Sequence, residues 1–173
     1  RKRERVKTDS LESNIRSLHG PILVTGASGF VGASLFTKIA AVRDDVYAVV
    51  DGDKGWRLQD TPDERVLNVD LTDRVLTTHL VDNCSPMTVF HCADDAVDVD
   101  TADAAAIRPD SFAALVILVE SLASRPIAAF VNAGSCSEYG ANSSAPPEDS
   151  PCEPDSPDGV VRLANANYLR YMG

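Results

Sequence analysis

The feature that most constrains this chain is the turn Thr25-Gly26-Ala27-Ser28-Gly29-Phe30-Val31-Gly32. Its glycines have G-x-x-G-x-x-G spacing. They follow a short apolar run, Ile22-Leu23-Val24-Thr25, and precede apolar residues at helical spacing, Val31, Leu35, Phe36 and Ile39. In a strand-to-helix turn each glycine has a mechanical reason: Gly26 permits the tight turn, Gly29 lets the backbone approach a pyrophosphate, and Gly32 lets the helix pack closely on the strand. The helix N-terminus behind them offers unpaired N–H groups to an anion.

The rest of the chain repeats this alternation. Apolar runs at 46–50, 66–69, 87–92 and 127–131 read as further strands, the second ending at Asp51. Between them, Leu76, Leu80 and Val81 mark a helix starting at Thr72-Asp73, and Phe112, Leu115, Val116, Val119 and Leu122 mark another, capped by Asp110 or Ser111. A last helix has Ser156 as N-cap, Pro157 at its first position and Gly173 as its stop. Right-handed crossovers turn this order into an α/β fold, a Rossmann-type doubly wound parallel sheet of about five strands in order 3-2-1-4-5. Its ligand crevice is expected between strands one and four. Residues 1–19 read as a polar N-terminal extension with a short helix over 11–18 capped by Asp9-Ser10, and 20–173 as one domain.

Asp51 stands 25 residues after Gly26, where a carboxylate accepts hydrogen bonds from the adenosine ribose hydroxyls. That points to NAD rather than NADP, because the same carboxylate repels a 2′-phosphate, although Lys54 and Arg57 nearby could offset it. Sixteen Lys and Arg against 26 Asp and Glu leave a net charge of -10, which argues against nucleic acid as a partner. The basic start of the chain has no apolar stretch behind it, and no run of about 18 apolar residues occurs, so neither secretion nor a membrane span is expected. Cys84, Cys92, Cys136 and Cys152 show no C-x-x-C pair and no zinc spacing, which fits free thiols in the cytoplasm and no metal. His91 reads as a packed or hydrogen-bonded strand-end residue, and Cys136 as a buried thiol rather than a nucleophile.

Several segments resemble the extended short-chain dehydrogenase/reductases, in particular the NAD-dependent sugar-nucleotide epimerases and dehydratases. Residues 25–32 look like that family's glycine turn, Asp70-Leu71 like its adenine-contacting pair, and Phe90-His91-Cys92-Ala93 like the strand-four segment lining the cofactor. The most specific match is Gly134-Ser135-Cys136-Ser137-Glu138-Tyr139-Gly140. The resemblance implies NAD held by Gly26, Ser28, Gly29, Phe30, Val31, Gly32, Asp51, Asp70, Leu71, Cys92 and Ala93, a nucleotide-sugar substrate, and Ser135 at the catalytic serine position.

The family's tyrosine and lysine, four residues apart on the next helix, have no counterpart here. Asp158 stands at the tyrosine position and Arg162 at the lysine position. An aspartate ionised at neutral pH has no proton to give, and the simplest reading is an i, i+4 surface ion pair rather than an altered acid/base dyad. Ser111 stands where the family places an asparagine, and the family's C-terminal substrate-binding part has no counterpart. Little or no turnover is expected, with a non-catalytic dinucleotide-binding or scaffold module, or an engineered or shortened chain, as alternatives.

Two acidic segments flank the expected site. Asp94, Asp95, Asp98, Asp100 and Asp103 fall in one, and Glu148, Asp149, Glu153, Asp155 and Asp158 in the other; neither contains Lys or Arg. Asp98-x-Asp100 lacks the glycine and glutamate of a calcium loop and reads as a solvated acidic loop. Both segments oppose an anionic nucleotide sugar. Strand five is apolar on both faces yet has no outer neighbour, so either the chain is a fragment of a longer protein or a homodimer partner or other chain is expected to cover that edge.

Overall fold

The computed structural model describes residues 8–93, 110–141 and 145–173. Helix α1 (Thr8–Ser17) precedes β1 (Ile22–Thr25), α2 (Phe30–Ala40), β2 (Val46–Val50), β3 (Val66–Asn68), α3 (Arg74–Cys84), β4 (Thr88–His91), α4 (Asp110–Leu122), β5 (Ala129–Asn132) and α5 (Pro157–Met172). The five strands form a single sheet in order β3-β2-β1-β4-β5, and every neighbouring pair is parallel. This is the Rossmann-type arrangement expected from the alternation of apolar runs and helices.

Strand alternation divides the core between the two faces. Ile22 and Val24 of β1 pack with Phe36 and Ile39 of α2 on one face, where Ile15 of α1 joins them. Leu23 between them points the other way, into a cluster with Val89, Leu80 and Val81 of α3, and Leu118 of α4. The central strand is thus buried on both sides, as a parallel sheet requires.

Local signals end the helices where expected. Asp73 caps α3 by accepting from the backbone N–H of Val75 and Leu76, and Ser156 caps α5 by accepting from Gly159, with Pro157 following it. Helix α1 starts at Thr8, so Asp9 and Ser10 lie within it rather than before it. Strand β5 begins at Ala129, two residues later than the apolar run. The register explains this: Ala129 pairs with Thr88, the first residue of β4. No described helix is long and apolar enough to cross a membrane.

Candidate functional site

The site lies at the carboxyl ends of β1 and β4, the point where chain order reverses across the sheet. Gly26 leaves β1 with φ +66°, and a β-carbon there would lie 2.4 Å from the Cys92 carbonyl oxygen and the Ala93 nitrogen. Gly32 sits over the same turn: a β-carbon on it would come within 2.3 Å of the Gly26 oxygen. Gly29 caps α2 without any side-chain hydrogen bond to the first turn. Among the described residues the amides at this helix start therefore have no side-chain acceptor, which suits an anion seated against them.

Two cavities meet at Gly26 and Ser28. One, of about 510 Å³, is lined by Asp51 from the end of β2, Asp70, Leu71, Ala93 and Ser111. The other, of about 570 Å³, is lined by Gly29, Phe30, Val31 and Gly32, together with Cys92, Ser135, Arg57 and Arg162. All eleven residues expected to hold a dinucleotide thus line one cavity or the other. Phe30 and Val31 are largely exposed, although they begin the helix. A two-part ligand whose linking phosphates cross the glycine turn fits this shape.

The charges near Asp51 differ from the sequence expectation. Lys54 is held by Asp63 at 2.8 Å and by the Thr61 carbonyl. Arg57 stacks on Trp56, 4.6 Å from the ring centroid, and lines the second cavity instead of the first. Among the described residues, the lining of the Asp51 cavity has carboxylates at Asp51, Asp70 and Asp110 and no Lys or Arg. Asp70 accepts from the Thr72 hydroxyl at 2.6 Å and from its backbone N–H, which holds its carboxyl below the usual range.

His91 is the last residue of β4. The residue is 2% exposed, Nδ1 lies 2.7 Å from Thr25 Oγ1, and Nε2 has no hydrogen-bond partner among the described residues. Burial, reinforced by the charge of Arg162, pushes its pKa down to about 4. It is a neutral packing residue at pH 7. Cys92 is half-buried, and burial raises its thiol pKa. Cys136, by contrast, is exposed as the first residue of a 3-10 turn, contrary to the buried thiol expected. That turn carries only four residues above β5 and gives the side chain nothing to pack under.

Ser135 caps this turn. Its hydroxyl oxygen accepts from the Ser137 N–H while Glu138 reaches back to the Ser135 N–H, a complete capping box. Ser137, which no sequence signal singled out, joins the turn to α5: its hydroxyl is 2.9 Å from Ser135 Oγ and 2.9 Å from Asp158 Oδ2. Asp158 in turn accepts from Arg162 Nε at 3.2 Å. This pair is not the surface ion pair expected, since the Arg162 side chain is 12% exposed and that of Asp158 33%. Burial lowers the Arg162 pKa, though the group stays cationic. The contact between Ser137 and Gly159 explains the fit, because a β-carbon at Gly159 would lie 2.4 Å from the Ser137 carbonyl. The acidic residues from Asp94 to Asp103 lie outside the described residues.

A family model described as the NAD dependent epimerase/dehydratase family matches residues 22–173. No curated protein matches the chain. Among solved structures, UDP-glucose 4-epimerase of Thermotoga maritima with UDP-glucose superposes with a TM-score of 0.74 at 23% identity, over 87% of this chain and 50% of that one. The Thermus thermophilus UDP-glucose 4-epimerase complex with NAD gives 0.74 at 24% identity, over 88% and 50%. The UDP-Glc/GlcNAc 4-epimerase of Campylobacter jejuni gives 0.76 at 19%, over 87% and 48%. This chain spans about half the length of each, and at these identities the likeness is one of fold.

Proposed function

The chain belongs to the NAD dependent epimerase/dehydratase family, and on that premise we propose that it binds NAD as the dinucleotide-binding part of a protein acting on nucleotide sugars. The observation that carries this reading is the pair of cavities meeting at Gly26 and Ser28. Gly26, Ser28, Gly29, Phe30, Val31 and Gly32 hold the pyrophosphate, Asp51 the adenosine ribose, Asp70 and Leu71 the adenine side, and Cys92 and Ala93 the strand-four wall. NADP is disfavoured because its 2′-phosphate would enter a cavity lined by carboxylates. When bound, NAD supplies a hydride acceptor.

Turnover is proposed to be low. Asp158 and Arg162 occupy the positions that the family resemblance gives to a tyrosine and a lysine, and their pairing supports a second reading, a non-catalytic dinucleotide-binding module. Ser135 remains at the wall of the cavity. The outer edge of β5 is proposed to take a second copy or a further strand, and the four unpaired cysteines suit a cytoplasmic setting.

Calorimetric titration with NAD tests the cofactor reading. Binding in the micromolar range is expected, with NADP at least tenfold weaker. Gly29→Val should abolish the binding while the far-ultraviolet circular dichroism stays unchanged, because a β-carbon at Gly29 meets only the Gly26 oxygen, at 3.2 Å. No heat at millimolar NAD would overturn the reading.

A further inference from the structure

Ser135 and Arg162 both line the second cavity, and behind that wall they are joined through Ser137 and Asp158. The chemistry of the donors gives this chain of contacts a direction. An ionised carboxylate only accepts, so the single hydroxyl proton of Ser137 goes to Asp158. The Ser137 oxygen is then the acceptor in its 2.9 Å contact with Ser135, and the Ser135 hydroxyl proton points along the chain. Ser135 Oγ is left to present a lone pair to the cavity. Arg162 donates from Nε to the other Asp158 oxygen, at 3.2 Å.

We propose that Ser137 links Ser135 to Asp158 as a proton relay, through which a substrate hydroxyl placed against Ser135 delivers its proton to the Asp158 carboxylate. The proposal rests on the NAD reading above. In the step, the carbinol C–H bond breaks and its electron pair passes as hydride to the oxidised nicotinamide, while the C–O bond becomes a carbonyl. The hydroxyl proton goes to Ser135, the Ser135 proton to Ser137, and the Ser137 proton to Asp158, which ends as a neutral acid. The alcohol is oxidised, NAD is reduced, and no other reactant is needed. A relay through two weakly acidic hydroxyls suits a slow single half-reaction, in keeping with low turnover.

The test uses the full chain loaded with stoichiometric NAD and given millimolar UDP-glucose or UDP-N-acetylglucosamine. Absorbance at the NADH band and the infrared difference spectrum are followed over one turnover. Slow NADH formation is expected, accompanied by the C=O band of a protonated carboxyl group that is missing in Asp158→Asn. Ser137→Ala should slow NADH formation at least about 100-fold with NAD affinity unchanged, and Ser137→Thr, which keeps the hydroxyl, should restore it. In the ligand-free chain, Ser137→Ala should also shift the Asp158 carboxylate stretch, and a structural contact alone would give that shift without the effect on NADH formation. NADH formed at the wild-type rate in Ser137→Ala, or no protonated carboxyl band, would overturn the relay. So would NAD binding with no NADH from either sugar nucleotide, which leaves the cofactor reading standing; absence of NAD binding would overturn both.

Discussion

A β-carbon at Gly26 would meet backbone, not a movable side chain, and would sit on a residue whose φ is +66°. Gly26→Ala should therefore destabilise the fold by about 2–4 kcal/mol in urea unfolding, through left-handed strain and overpacking together. Gly29 has no such obstruction, so the two glycines separate a folding role from a binding one. His91 supplies a second prediction at this scale. Its pKa falls from 6.5 to about 4 on folding, so the unfolded chain binds more protons between those values. The stabilisation by neutral, buried His91 is complete above about pH 6.5 and is lost as pH falls toward 4. Against a His91→Asn variant, the wild type should lose an additional roughly 3 kcal/mol of unfolding free energy over that window. Equal pH slopes for the two proteins would refute the assignment. Positions fixed by backbone geometry or strand order, such as Gly26 and Gly32 in the turn and Asp51 directly after β2, were readable from the sequence. Ser137 was not, because its partner Asp158 lies on α5, 21 residues on, and reaches it only once β5 and α5 are placed. Arg57 likewise shares a sequence neighbourhood with Asp51 but turns onto Trp56 and into the other cavity.

Helix α1, at 10 residues, is too short to persist by itself in water. Two features dock it on the sheet. Ile15 is 7% exposed in the α2-side core, and Arg43 reaches from the α2–β2 loop to the carbonyls of Ile15, Arg16 and Leu18 while pairing with Asp45 at 2.6 Å. Arg43 thus satisfies carbonyls at the end of a helix that has no glycine stop of its own. Its hydrogen bond holds the Asp45 carboxyl below the usual range, so this link is present at neutral pH and weakens as pH falls below that range. Arg43→Met keeps much of the packing volume and removes the donors. Amide exchange within α1 should then speed up by about 30-fold, equivalent to about 2 kcal/mol of local stability, with exchange in β1 little changed. Strand and helix types followed from apolar periodicity, and β1 and β2 match it to the residue. The start of β5 did not follow, since it is decided by where β4 offers a partner; nor did the Arg43 clamp, which joins residues 25 to 28 positions apart.

At the scale of the whole molecule, strand order was readable because crossover handedness leaves few ways to arrange five parallel strands. How charge and apolar surface are distributed over that frame needed the coordinates. Of the second acidic segment, Glu148, Asp149, Glu153 and Asp155 are exposed, while Asp158 is turned inward to Ser137 and Arg162. The net charge of -10 is therefore no guide to the wall of the second cavity, which Arg57 and Arg162 line together with the glycine turn. Apolar surface is equally uneven. Among the described residues β5 pairs only with β4, and Val131 is 47% exposed on the face where Phe90 of β4 adjoins the α2-side core. On the opposite face, Val119, Leu122, Ile127, Phe130, Leu169 and Met172 line an apolar cavity of about 590 Å³. A parallel strand with an open edge and apolar residues on both faces favours association with another strand. Sedimentation equilibrium of this chain should show an average mass that rises with concentration in the micromolar range. Val131→Lys, which places a charge on a half-exposed position of β5, should return the mass to that of the monomer without altering NAD affinity. A concentration-independent monomer for the wild type would show that this edge is silent in the chain as it stands.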